Sequence, residues 1–297
     1  MEQFAKVLII GINSKIGSLA ADRFSAKSYE VYGTTRRRDS IADNVQYLNL
    51  DDKLEKWPDF PNCDIALICS SIHSVAECEK YPKKTRLLNV DAICNLVKRL
   101  IEKQCFVLFP STNMVFNGQI PFAKPNHQTS PTTVYASQKV IVENFLLEKT
   151  DNAAIIRFTK ILDRKHDLFT NWMTDLKRGG QIISYSNKYF SPISIDCAVD
   201  ALIKISGNKV KGIFHLSGSS DISYSTAAKH IAYRLKKEKS MIIELKQPTK
   251  PEETRIPPKY TTLAQSDIFD GLGHPTDPHQ VIDYVCDWDW DWDWDWE

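Results

Sequence analysis

The chain has 297 residues, 42% of them hydrophobic, enough for one large domain or for a main domain carrying a smaller lobe. Its 38 basic and 37 acidic residues leave a net charge of +1, which gives no long-range pull toward nucleic acid or an anionic membrane. No run approaches the roughly 20 apolar residues of a membrane span, and residues 4–10 lack the basic start and cleavage site of a signal peptide. A cytoplasmic protein with no nucleic-acid or membrane partner is expected.

Seven cysteines, Cys63, Cys69, Cys78, Cys94, Cys105, Cys197 and Cys286, form no CxxC pair. That spacing excludes a zinc cluster and a disulfide framework, so reduced buried thiols and no metal site are expected.

In chain order, residues 4–10 read as a continuous apolar strand, followed by a glycine turn and a helix over 16–26. Further strands are predicted over 30–33, 45–48 and 64–69. Apolar residues at 87, 88, 90, 93, 94, 96, 97, 100 and 101 predict one helix of five turns over 83–103. A strand over 105–109, a helix over 134–147 and a strand over 153–156 close the first half. Short apolar strands joined by helices require right-handed parallel crossovers with both faces covered. The class is therefore α/β, a Rossmann-like doubly wound parallel sheet whose ligands bind beyond the strands' carboxyl ends.

After residue 160 the rhythm is irregular, with helices over 168–178, 196–205 and 223–237 and a strand over 213–216. A division follows: a nucleotide-binding domain over 1–162, with part of 190–207 packing back on it, and a smaller substrate lobe over 163–286. Residues 287–297 alternate Trp and Asp; a ribbon of that kind has no core of its own, and a disordered tail is expected.

The turn after the first strand reads Gly11-Ile12-Asn13-Ser14-Lys15-Ile16-Gly17. A dinucleotide turn needs one glycine for the bend and another for close helix packing, with the backbone between them approaching a pyrophosphate. Gly11 and Gly17 have that spacing, and Ser14 stands where the middle glycine is usual, its hydroxyl able to bond a phosphate oxygen. The second strand runs into Arg36-Arg37-Arg38, where an NAD fold places a carboxylate against the ribose 2′-hydroxyl. Arg36 and Arg37 suit a 2′-phosphate instead, which favours NADP(H) over NAD. Tyr135 and Lys139 stand at i and i+4 on one helix face, where an ammonium is expected to draw the phenol's pKa toward the working range.

These features, with the run Phe109-Pro110-Ser111-Thr112-Asn113-Met114-Val115-Phe116-Asn117-Gly118 and the prolines Pro121 and Pro131, resemble the extended short-chain dehydrogenase/reductases acting on nucleotide sugars. The likeness is greatest to dTDP-4-dehydrorhamnose reductases, and it takes in Asn89, Arg157 and residues 191–196 and 256–263. The resemblance implies that Tyr135 is the general acid, that Lys139 holds the nicotinamide ribose, and that Thr112 polarises the substrate oxygen. It places Asn13, Lys15 and Ile16 on the cofactor turn, and Cys69, Ser70 and Ser71 along the cofactor. It also puts Asp51 near the adenine, and Ser111, Asn113 and Met114 on the substrate side.

The departures narrow the choice. Asn113 and Met114 cannot supply the Asp-Glu pair of sugar 4,6-dehydratases, nor the cysteine of the epimerase-reductases that make GDP-fucose. A carbonyl reductase of carbohydrate biosynthesis, acting on a nucleotide-linked 4-keto-6-deoxyhexose, is the expected activity. The alternatives are a 4-epimerase with tightly held NAD and a non-catalytic NADP-binding sensor or regulatory subunit. By analogy the long helix over 83–103 could form a homodimer contact.

Overall fold

The computed structural model describes residues 4–164, 166–246 and 258–286. The Trp–Asp stretch and the first two residues of the 256–263 segment lie outside them. The strands of the first half are β1 (Lys6–Ile10), β2 (Glu30–Thr35), β3 (Val45–Tyr47), β4 (Ile65–Ile68), β5 (Phe106–Thr112) and β6 (Ala153–Phe158). The later ones are β7 (Lys160–Leu162), β8 (Ile182–Tyr185), β9 (Tyr189–Phe190), β10 (Pro192–Ser194), β11 (Gly212–Leu216), β12 (Ile222–Ser223) and β13 (Ile242–Leu245). The helices are α1 (Lys15–Ala26), α2 (Val75–Lys80), α3 (Pro82–Arg86), α4 (Ile93–Glu102), α5 (Val134–Lys149), α6 (Asp167–Lys177), α7 (Ile195–Asn208), α8 (Tyr224–Arg234) and α9 (Pro278–Cys286).

Seven strands form one sheet in the order β11-β6-β5-β4-β1-β2-β3, all in parallel pairs. The unbroken apolar run of β1 follows from that position. Val7 to Ile10 are fully buried because helices cover both faces, one packed with α1 and α7 and the other with α4 and α5. The chain leaves β1 toward β2 and β3, then returns to β1's other side as β4. That reversal is the switch point at which such sheets bind ligands. It aligns Ile10, Thr34 and Ile68 in register, so that Gly11, Thr35 and Cys69 share one rim.

Two expectations need correction. The predicted helix over 83–103 starts at Pro82, whose ring suits a first helical turn, and a π-helical turn at Leu87–Ala92 interrupts it. The shifted register exposes Leu87 and buries Asn89. The strand at Gly212–Leu216, counted with the lobe from the sequence, pairs with β6 as the seventh strand of the main sheet. The lobe has its own core, built on Phe169, Trp172 and Leu176 of α6, Ile231 of α8 and Val281 of α9. Among the described residues no helix is long and apolar enough to cross a membrane.

Candidate active site

The turn between β1 and α1 depends on two glycines. Gly11 has φ +84°, and a Cβ there would lie 2.4 Å from Ser70 Oγ. A Cβ on Gly17 would lie 2.4 Å from the Gly11 carbonyl oxygen, so the helix can start this close to the strand only with glycine. Ser14 is the N-cap of α1, its Oγ accepting from the Gly17 N–H at 3.0 Å. That bond uses a lone pair and leaves the Ser14 hydroxyl proton free to donate. The N–H groups of Lys15 and Ile16 donate to no acceptor among the described residues, which leaves them for an anion at the helix N-terminus. Asn13 is exposed. The Lys15 ammonium reaches across to Asp163, 2.5 Å away, rather than over the turn.

Around the rim, Arg36 and Arg37 are exposed, and neither guanidinium has a partner among the described residues. Arg37 is anchored through its backbone N–H, which donates to Thr35 Oγ1 at 3.0 Å. Arg38, by contrast, stacks on Tyr47, 4.6 Å from the ring centre. Asp51 is exposed on the turn after β3, its N–H donating to Asn49 Oδ1 at 3.3 Å. Ser70 backs Gly11, and Ser71 is half-buried in the following loop. A tight turn with free N–H groups and exposed arginines beyond the second strand could hold a dinucleotide.

Helix α5 carries Tyr135 in its first turn. Thr133 caps that turn by accepting from the Ala136 N–H at 3.1 Å, and Glu79 accepts from the Val134 N–H at 3.0 Å. One turn on, the buried Lys139 ammonium donates to the Pro110 carbonyl at 2.9 Å and lies 4.5 Å above the Phe109 ring. Burial brings its pKa down to about 8, while Glu143 and Cys69 favour the charged form. Tyr135 departs from expectation. Burial, and then the Cys78 thiol, push its pKa up to about 12. The reason is geometric: the Lys139 ammonium is 5.9 Å from the Tyr135 ring centre and is turned to the Pro110 carbonyl, so burial sets the direction of the shift. The phenol is neutral at physiological pH and holds a proton to give. Cys69, half-buried on the β4 rim, has its thiol pushed up to about 12 by burial.

Ser111 and Thr112 end β5, at the foot of α5. Thr112 Oγ1 accepts from the Met114 N–H at 3.2 Å and donates to Asn113 Oδ1 at 3.4 Å. Asn113 turns its amide to the Thr261 carbonyl at 2.9 Å, so it ties down a late segment. That segment crosses the turn after β5. Lys259 and Tyr260 both donate to the Gly118 carbonyl at 2.9 Å, and a Cβ on Gly118 would strike Pro258. Met114 is half-buried.

Behind the site lies a buried network in which Arg157, part of the family resemblance, meets Glu143 and His215, which no motif marked. Glu143, one turn beyond Lys139, accepts from the Ser111 hydroxyl and is gripped by Arg157 through Nη2 at 2.7 Å and Nε at 3.2 Å. Arg157 also donates to the Pro125 carbonyl at 3.1 Å. His215 meets Ala123 O at 3.1 Å, and burial, then Arg157, bring its pKa down to about 4. These contacts fasten the proline-containing loop to the sheet. Tyr135, Lys139 and Glu143 fall at i, i+4 and i+8, a spacing that was visible in the sequence. Asn89 plays a similar part elsewhere: it accepts from the Ile72 N–H at 2.8 Å and donates to Gln138 Oε1 at 2.8 Å, holding the loop after β4 against α5. No group of three or more His, Cys, Asp or Glu side chains able to hold a metal occurs among the described residues.

The model of the RmlD substrate binding domain matches residues 5–280. The chain belongs to this family. Among curated relatives, methionine adenosyltransferase 2 subunit beta of Xenopus tropicalis is 24% identical over 236 residues, 73% of this chain and 68% of that protein. The dTDP-4-dehydrorhamnose reductase of Mycolicibacterium smegmatis is 25% identical over 221 residues, 72% of this chain and 64% of that one. The fold is shared with the dTDP-4-dehydrorhamnose reductase of Bacillus anthracis, solved in complex with NADP, at a TM-score of 0.78 and 16% identity. That likeness covers 96% of this chain and 98% of the other. The Thermus thermophilus UDP-glucose 4-epimerase, in complex with NAD, matches at 0.74 and 15%, covering 94% and 98%. The family thus joins reductases to a subunit of a different enzyme.

Proposed function

We propose that the chain is an NADP(H)-dependent reductase of a keto group on a nucleotide-activated sugar, of the 4-keto-6-deoxyhexose type. The observation that carries this reading is the placement of Lys139. Its ammonium bonds the end of β5, acts on Cys69 beside the glycine turn, and lies one helical turn from a neutral Tyr135. The cofactor turn and a proton donor are thereby joined through one side chain. The exposed, unpartnered Arg36 and Arg37 support NADP(H) over NAD.

When bound, NADPH would supply the hydride. The N–H groups of Lys15 and Ile16 would hold its pyrophosphate, Arg36 and Arg37 the 2′-phosphate, and Lys139 the nicotinamide ribose. Thr112, its hydroxyl proton swinging from the long bond to Asn113, would orient the substrate carbonyl oxygen, and Tyr135 Oη would deliver its proton to that oxygen as negative charge develops. Asn113 and Met114 would shape the sugar side. The lobe built on α6, α8 and α9 would supply the nucleotide contacts.

A second reading, an NADP-binding subunit without turnover, is favoured by the match to methionine adenosyltransferase 2 subunit beta. Both readings are tested by titrating NADPH and NADH, followed by fluorescence, into the wild type and the Arg36→Ala/Arg37→Ala variant. Tight NADPH binding that collapses toward the NADH affinity in the variant supports the cofactor assignment, and absence of binding by either nucleotide ends it. Keto-sugar nucleotides are then screened with Tyr135→Phe as control. Turnover lost by roughly 10²–10⁴-fold in that variant, with NADPH affinity kept, is the reductase result. NADPH binding with no turnover on any keto sugar is the subunit result.

A further inference from the structure

Away from the active site, two cysteines meet. Cys63 ends the irregular segment before β4, and Cys105 immediately precedes β5. Ile65 pairs with Phe106 in the parallel ladder, so the two residues open neighbouring strands at the edge of the sheet opposite the glycine turn. Their Sγ atoms are 2.9 Å apart, within an ångström of the roughly 2.05 Å of a disulfide bond. Both side chains are buried, at 8% and 1% exposure, and the only other hydrogen bond of the Cys105 sulfur among the described residues is a long one, 3.9 Å, to the Lys103 carbonyl. No other two of the seven cysteines have sulfurs in contact among the described residues. The shared S–H···S bond favours the thiolate at Cys105 and the thiol at Cys63.

We propose that Cys63 and Cys105 are a reversible dithiol–disulfide site, oxidised by a small peroxide. The Cys105 thiolate attacks one oxygen of hydrogen peroxide. The O–O bond breaks, hydroxide leaves and takes up a proton as water, and Cys105 becomes a sulfenic acid. The Cys63 sulfur, giving its proton to the departing hydroxyl, then attacks the Cys105 sulfur and expels a second water. Two protein thiols are oxidised and one peroxide is reduced to two waters. A dithiol reductant reverses the bond by exchange. A sub-ångström approach of two strand-opening residues suffices, and the small size of the oxidant matches the burial of the pair. The bond would close a loop of 42 residues' separation that carries β4, the Cys69–Ile72 rim, and α2 through α4.

The test treats the full chain with graded hydrogen peroxide, blocks free thiols under denaturing conditions, and maps peptides before and after a dithiol reductant. The expected result is a Cys63–Cys105 cross-linked peptide that disappears on reduction, with thiols falling from seven to five. Closing a loop of this length should also raise Tm by roughly 5–10 °C, reversibly. Cys63→Ala and Cys105→Ala should each abolish the cross-link and the Tm rise. The wild-type map stands alone if either variant fails to fold. Recovery of Cys63 and Cys105 as free thiols, while Cys69 or Cys94 oxidises, overturns the proposal. Direct conversion of Cys105 to a sulfinic acid without a cross-link overturns it too.

Discussion

Replacing Arg157 by methionine isolates the buried pair behind the reaction centre. Glu143 and Arg157 have side chains 1% and 3% exposed, and the guanidinium reaches the carboxylate through both Nη2 and Nε. Arg157→Met fills most of the volume but leaves the carboxylate buried, with Ser111 as its remaining hydroxyl donor. Removing one partner of a buried pair costs about 3–5 kcal/mol, because the other charge stays uncompensated. At about 2–4 °C per kcal/mol for a chain of this order of size, Tm should fall by at least roughly 6 °C. The companion Arg157→Met/Glu143→Gln keeps an acceptor for Ser111 and removes the charge, so it should recover more than half of the loss. Urea unfolding of wild type, single and double variants measures this, with equal m-values required before the midpoints are compared. A single variant within about 1 kcal/mol of wild type, or a double no better than the single, would refute the uncompensated-charge argument.

Gly17→Ala should weaken NADPH binding by roughly tenfold or more while far-UV circular dichroism is unchanged, because its Cβ would meet the Gly11 carbonyl at 2.4 Å. Lys139, brought down to about 8 from an ordinary 10.5, is disfavoured as a cation by folding. Between pH 8 and 10.5 the unfolded chain holds the proton more firmly, so stability rises with pH in that window. Lys139→Met should therefore raise Tm relative to wild type at pH 7 and lose that advantage as pH climbs through the window; a constant difference would contradict the burial argument. His215, brought down to about 4 from 6.5, is held neutral by folding. The stability this gives is complete above pH 6.5 and drains away as pH falls toward 4. His215→Gln should flatten that acid limb in a Tm-versus-pH series.

Much of the fold can be read locally. Apolar runs such as Val7–Ile10 announce strands buried on both faces, and the Gly11/Gly17 spacing announces a strand-to-helix turn, because both signals depend on residues a few positions apart. Tyr135 and Lys139 share a helix face for the same reason. The helix before β5 was half legible: its apolar positions from Leu88 onward lie on or beside the buried face, but the register shift at Leu87–Ala92, which exposes Leu87, has no signature in periodicity, and α2 is too short to show one. The direction of the Tyr135 shift could not be read from spacing, because burial sets it. The i, i+4 spacing does not say that the Lys139 ammonium turns to Pro110 instead.

The sequence by itself determined the six first-half strands, the main helices between them and the parallel class, since these follow from period, turn chemistry and chain handedness; the short strands of the lobe, α2 and α9 were not legible in it. Tertiary structure alone decided which distant residues meet. Arg157 with Glu143, Asn113 with Thr261 across 148 positions, and Cys63 with Cys105 are brought together by strand order and register. Register is set by the packing of the whole sheet, and so are the burial and direction that give each charge, thiol and phenol its chemistry.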